Sequence, residues 1–256
     1  MTLLEPVVAA LRVAPVKGLA SVLRETVHID HHGVAEDRRA FLIDAQGTVV
    51  TLRQHPELIT VTPDLDLDGG VLRVTLADGG VGSTPLGDTT AHVHAHLYGK
   101  DRSGRLLPGG VADALSEVAG EPVRVVVADV TGVGWDEGPV SLLGRTSAQA
   151  VSGTRDTARY RMLVEVVGTQ PFEEDSWVGR QIDVGAARLR VTHPLRRCVI
   201  ITQSPQAGEK DWEGLHALAA LRGPDLCLGV IAEVVAPGTV RVGDPVGQVD
   251  RGRVAP

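Results

Sequence analysis

Hydrophobic patterning along this chain favours strands: short apolar runs rich in β-branched residues, separated by Gly, Pro or Asp turn signals. The pattern predicts strands over Val7–Val13, Ala40–Ile43, Val71–Leu76, Val123–Val127, Arg161–Val166, Arg188–Thr192, Val199–Thr202 and Leu228–Val235. Apolar residues at three- and four-residue spacing predict helices over Gly110–Ala119, Thr146–Ser152 and Asp211–Leu221, with Gly120 and Gly223 where C-terminal caps belong. Strands outnumber helices and do not alternate with them regularly, so a doubly wound parallel sheet fits poorly. The expected fold is mainly β with a few helices (α+β), built on β-barrels. A boundary is expected near Asp129–Gly138, where glycine turns and acids interrupt the pattern. It divides the chain into residues 1–130 and 131–256, each of ordinary domain size.

Composition narrows the function. The 43% hydrophobic content of the 256 residues is spread along the chain. No apolar run approaches the roughly 20 residues that span a bilayer. Glu5, Pro6 and Arg12 interrupt the apolar start, which lacks a basic beginning and a small-residue cleavage site. A cytoplasmic protein with no membrane partner is expected. The net charge of −7 disfavours a nucleic-acid-binding surface, so any anionic ligand is left to a few local cations. The two cysteines, Cys198 and Cys227, are expected as thiols.

Cys198 directly follows Arg196 and Arg197 and precedes a strand-like run. Neighbouring guanidinium charge favours thiolate, the form that attacks carbon or binds metal. The alternative is a structural cysteine beside two surface arginines, and spacing does not choose between them. Cys227 sits among apolar residues and reads as a small core hydrophobe. No CxxC or HxxxH spacing supports closed zinc. His92, His94 and His96 alternate, so on a strand they share one face; a half-exposed strand explains them more simply than a metal site. His28, His31 and His32 read as a solvated turn. Phosphate loops of the GxGxxG or GxxxxGK[ST] type and a GxSxG elbow are absent from the sequence.

A series of short segments nevertheless falls in a known order. Ala14–Leu19 (APVKGL) resembles a YPVKG/S segment, Glu36–Ile43 (EDRRAFLI) a DRxFxLxD element and Thr51–Pro56 (TLRQHP) a TxRQxP element. Gly138–Leu143 (GPVSLL), Arg159–Arg161 (RYR), Phe172–Gly179 (FEEDSWVG) and Arg197–Cys198 follow, then Thr202–Gly208 (TQSPQAG) and Pro237–Val246 (PGTVRVGDPV). Together, over nearly the whole chain, they resemble MOSC-domain proteins that carry an N-terminal MOSC β-barrel domain. These are relatives of the mitochondrial amidoxime-reducing component and of the C-terminal region of molybdenum cofactor sulfurase.

The resemblance implies a MOSC β-barrel domain after an N-terminal barrel-like domain, and a molybdenum-pyranopterin cofactor with Cys198 as its soft metal ligand and catalytic residue. It also carries a looser association with pyridoxal phosphate. Lys17, Gly18, Arg38, Arg161 and Arg197 match the cofactor-binding segments, and cations from separate segments suit a pterin phosphate. The family's RFRPN motif reads Arg159-Tyr160-Arg161-Met162-Leu163 here, Arg196 replaces a small hydroxyl residue before the cysteine, and Ser204 replaces an aspartate after it. The implied activity is a molybdenum-dependent oxidoreductase that reduces N-hydroxylated small molecules. With no Fe–S, flavin or haem motif in the chain, its electrons would come from a separate ferredoxin- or flavoprotein-type donor. Two alternatives stand beside it: a carrier or sensor of the cofactor or of sulfur, and a MOSC-fold protein without the cofactor.

Overall fold

A computed structural model describes residues 5–97 and 100–249 of the chain. The described residues are mainly β, as the patterning predicts, with three α-helices: α1 (Gly110–Ala119), α2 (Arg145–Ser152) and α3 (Gly214–Arg222). The largest sheet has eight strands in the order Val246–Gln248, Gln181–Val184, Ala187–Arg196, Cys227–Ala236, Val140–Gly144, Val164–Val167, Val7–Val13 and Val22–Arg24. Its neighbours pair antiparallel except Val140–Gly144 with Val164–Val167, and α2 provides the crossover that such a parallel pair requires. A four-stranded sheet orders Ala40–Ile43, Arg124–Ala128, Lys100–Leu107 and His92–Leu97. Two three-stranded sheets complete the set. One joins Gly238–Arg241, Thr26–Asp30 and Gly33–Val34, the other Thr62–Asp66, Val71–Thr75 and Val81–Pro85.

Burial explains the strand sequences. Thr26–Asp30 and Thr62–Asp66 bury every second residue, so one face packs and the other meets water. Ala40–Ile43 is buried at all four positions, which is why it reads as an unbroken apolar run. α1 turns Val111 and Leu115 onto the Thr62–Pro85 sheet, and both are fully buried.

Strands from the two ends of the chain are hydrogen-bonded together. Val7–Val13 pairs with Val164–Val167, and Thr26–Asp30 pairs with Gly238–Arg241. Val8, Leu11, Val13 and Ile29 accordingly share a core with Val164, Leu189 and Val230. Val16 and Leu19 belong to a different core, with Leu42, Leu58, Leu72 and Leu115. The chain crosses from one core to the other within residues 13–16, and residues 129–139 connect the strands Arg124–Ala128 and Val140–Gly144.

Three predicted elements differ. Val199–Thr202 is a 3-10 turn rather than a strand: the Thr202 hydroxyl donates to the Val199 carbonyl at 2.6 Å, and Ile201 turns into a core with Leu218 and Tyr160. The strand expected from Arg161 begins only at Val164, because Arg161 takes a left-handed conformation that closes the 3-10 turn Thr157–Tyr160. The third helix begins at Gly214 rather than Asp211.

A buried carboxylate ties the seam. Glu165, 1% exposed, accepts from Arg12 Nε at 2.7 Å, Arg145 Nε at 2.9 Å and Thr157 Oγ1 at 2.9 Å, linking the first strand, α2 and the turn before Arg161. Removing one partner of such a buried set strands the others. Glu165→Ala is therefore expected to lower unfolding free energy by about 3 kcal/mol; a loss under about 1 kcal/mol in urea denaturation would show that the network contributes little.

Candidate functional site

Backbone pairing sets two cation-bearing segments side by side. The Lys17 N–H donates to the Ala40 carbonyl at 2.8 Å, the Ala40 N–H to the Pro15 carbonyl at 3.0 Å, and the Arg38 N–H to the Ala14 carbonyl at 2.7 Å. The buried Asp37 carboxylate accepts from the Ala14 N–H at 2.8 Å and pairs with the Arg38 guanidinium. After Lys17 the chain turns through Gly18 at φ +91°, where any Cβ would be strained. Arg38 itself sits at φ +50° and Arg161 at φ +54°. Left-handed backbone costs a residue other than glycine about 1–2 kcal/mol, so both arginines are held by their surroundings. The two meet directly: Arg38 Nη2 donates to the Arg161 carbonyl at 3.3 Å.

Over this junction opens a cavity of about 670 Å³, within the range of small-molecule and cofactor sites. Lys17, Gly18, Arg38, Arg161, Arg197 and Cys198 all line it. Residues separated by up to 181 positions in the chain thus share one wall.

The charges are not interchangeable. Lys17 is 8% exposed, and its Nζ donates to Asp136 at 2.5 Å and to the Gly134 carbonyl at 3.2 Å. Burial pushes its pKa down; Asp136 opposes this, and Arg38 and Arg161 add to it. Burial tends to neutralise Arg38 as well, but Asp37 and Asp136 outweigh it and hold its pKa above the ordinary value. Arg161 has no counter-ion in contact: among the described residues no hydrogen bond or ion pair reaches its guanidinium. Burial and the charge of Arg38 push it down to about 10. Three cations therefore face two carboxylates, and the unpartnered one borders the cavity. That is the electrostatic form of an anion site.

Arg197 does a different job. Its Nε donates to the Leu228 carbonyl at 2.8 Å, its Nη1 to the Tyr160 carbonyl at 3.0 Å, and its Nη2 meets the Met162 sulfur at 2.9 Å. Burial pushes its pKa down to about 10. The guanidinium clamps the strand Cys227–Ala236 to the Tyr160–Met162 segment and fixes the backbone that presents Cys198. Cys198 is a half-buried free thiol between the end of the strand Ala187–Arg196 and the 3-10 turn at Val199. Leu195, Ile200 and Ile231 line the cavity with it, while Arg196 is exposed at the rim. Burial and then Asp225 push the Cys227 thiol up, away from reactive thiolate.

The remaining histidines lie elsewhere. His92, His94 and His96 fall on one face of the strand His92–Leu97; His92 pairs with Asp129 at 2.7 Å and His96 with Asp101.

The loop 134–138, expected only as part of the boundary near Asp129–Gly138, belongs to the site. Gly134 lies so close to Arg38 that a Cβ there would fall on the Arg38 carbonyl oxygen, and Trp135 and Asp136 line the cavity. The available signal was Trp135, since a solvated linker seldom spends an indole.

Two family models match the chain. Residues 5–122 match the MOSC N-terminal beta barrel domain and residues 134–247 the MOSC domain. The chain is 25% identical to mitochondrial amidoxime-reducing component 1 of Xenopus laevis, over 96% of this chain and 82% of that one. It is 24% identical to the Homo sapiens protein of the same name, over 93% and 82%. The crystal structure of the YUAD protein from Bacillus subtilis aligns over 95% of this chain and 94% of that chain, with TM-score 0.46 and 13% identity.

The pKa of Asp136 gives a pH prediction. Burial opposes its charge, but Lys17, Arg38 and Arg161 outweigh burial and hold the carboxyl below its ordinary range. A depressed folded-state pKa contributes stability above the unfolded value, about 3.9, and loses it as pH falls through the folded one. Asp136→Asn is expected to flatten the loss of stability below about pH 4 relative to wild type. Superimposable acid limbs in denaturant titrations would show that Asp136 is not coupled to the cations.

Proposed function

The chain belongs to the MOSC-domain proteins with an N-terminal MOSC β-barrel domain, and from that premise we propose that it is a molybdenum-cofactor-dependent oxidoreductase acting on N-hydroxylated compounds. One observation carries the reading: Lys17, Arg38, Arg161 and Cys198 converge on one cavity in which, among the described residues, no carboxylate contacts Arg161. The relatives named amidoxime-reducing components support the substrate class.

The residues present fit the group. The Cys198 thiolate is a soft donor suited to molybdenum. Lys17, Arg38 and Arg161 offer charge-assisted hydrogen bonds for the pterin phosphate, Arg as a fork and Lys as a point charge. Gly18 leaves the wall beside Lys17 without a side chain. Arg197 holds Cys198 in place through backbone carbonyls rather than by touching the ligand. When bound, the cofactor would supply a redox-active metal at the Cys198 end of the cavity.

Reducing an N-hydroxyl group to an amine consumes two electrons and two protons and releases water. Electrons would arrive from a separate ferredoxin- or flavoprotein-type protein, because the sequence carries no Fe–S, flavin or haem motif. Leu195, Ile200 and Ile231 would keep the Cys198 end apolar, where charge interactions strengthen as water leaves. Among the described residues no helix is long and apolar enough to cross a membrane.

In protein expressed in a cofactor-competent host, Cys198→Ala is expected to abolish molybdenum retention while the circular dichroism spectrum is kept. Removing a charge-assisted contact costs about 1.5–3 kcal/mol, so the Lys17→Met/Arg161→Met double variant should purify largely empty. Wild-type metal content in Cys198→Ala would overturn the ligand assignment. Stoichiometric molybdenum with no turnover of an N-hydroxylated substrate would shift the function to carriage of the cofactor.

A further inference from the structure

The loop 134–138 is fastened to the site by three cations. Lys17 Nζ holds Asp136 and the Gly134 carbonyl, Lys100 Nζ donates to the Asp136 carbonyl at 2.9 Å, and Arg102 Nη2 donates to the Trp135 carbonyl at 2.7 Å. The two carboxylates in the cation field differ in kind. Asp37 is 3% exposed at its side chain and tied to both the Ala14 N–H and Arg38, so it is a fixed counter-charge. The Asp136 side chain is 51% exposed, and its one contacting partner among the described residues is Lys17. It lies on a loop rather than in a sheet.

We propose that Asp136 is an exchangeable internal anion, which holds Lys17 until the phosphate group of an incoming ligand displaces it together with the loop 134–138. This inference rests on the anchoring of a phosphate by Lys17, Arg38 and Arg161. Physically, a buried lysine that loses its contacting carboxylate is left with an uncompensated charge, so the loop opens only a small fraction of the time until another anion enters. A carboxylate at Asp136 reaches Lys17 but makes no contact with Arg161. A phosphate monoester presents three oxygens and up to two charges, enough to engage Lys17 and Arg161 at once. Exchange would thus select phosphate esters over simple carboxylates, because only the former recover more contacts than the loop gives up. Trp135, next to Asp136, would move with the loop and report the event.

The test is calorimetric titration of inorganic phosphate into the full-length chain and its variants. Asp136→Asn should bind phosphate about tenfold more tightly than wild type, the factor by which a latch open roughly a tenth of the time reduces apparent affinity. Glu137→Gln removes the same charge from the same loop without touching Lys17, and should shift affinity less than about twofold. Lys17→Met should weaken binding and abolish the effect of Asp136→Asn. Asp136→Ser replaces Asp136→Asn should that variant misfold. Phosphate should also change Trp135 emission in wild type, a change lost in Trp135→Phe. Equal or weaker affinity in the Asp136 variants, or an equal gain from Glu137→Gln, overturns the exchange and leaves phosphate anchoring standing. Absence of phosphate binding in every variant removes the anchoring, and this inference with it.

Discussion

The site depends on holding like charges together where water is scarce. Burial and the charges of Arg38 and Arg161 lower the pKa of Lys17, and burial and Arg38 lower that of Arg161. A chain free to choose would point these side chains outward into solvent. Here the backbone denies that choice. Arg38 and Arg161 both occupy left-handed conformations; the Arg38 N–H is tied to Ala14, the Arg161 N–H closes its own turn on Ala158, and the Arg38 guanidinium donates to the Arg161 carbonyl. Strain of this kind persists only where surrounding structure over-determines it, and it concentrates at functional sites.

What over-determines it is the interleaving of the two ends of the chain. The first strand belongs to the sheet of the second half, yet three residues later the chain enters the core of the first half. Residues 14–18 are therefore stretched between two cores and cannot relax. From the other side, Gln203 Nε2 donates to the Leu52 carbonyl at 2.9 Å, and Ile200 packs against the first core. The turn that follows Cys198 is thus pinned to the core of the first half at Leu52. Displacing either segment would break contacts in both cores, so the cavity between them inherits the stability of the fold.

Strands were legible in the sequence where burial alternates or is complete, as in Val7–Val13 and Ala40–Ile43, because side-chain period reports backbone directly. Val199–Thr202 misled for an equally physical reason. Its β-branched residues prefer extended backbone, but the chain has to turn there to drop Ile201 into the core beside Leu218. The loop 134–138 was illegible because its two glycines and two acids look solvated, while its role comes from cations elsewhere in the chain. Periodicity could not have brought Lys17, Arg38 and Arg161 together either. Short motifs in family order did so, and they carry tertiary information that local pattern does not.

The family's RFRPN motif, which reads Arg-Tyr-Arg-Met-Leu here, shows how such a site can change without losing its charge. Met162 and Leu163 are each 1% exposed. The Met162 sulfur sits 2.9 Å from Arg197 Nη2, and the Leu163 N–H donates to Ser141 Oγ at 3.0 Å. Met162 has thus become part of the packing under Arg197 and Leu163 an apolar part of the cavity wall, while Arg161 keeps its charge at the cavity. A polar side chain lost at Leu163 also removes a group that would need a partner when buried, and an apolar one needs none. The departure therefore alters the floor that supports Cys198 and the shape of the wall, while the cations that define the site's charge stay where the motif puts them. The charge of the site and the packing beneath it thus fall on different residues of the same five-residue segment.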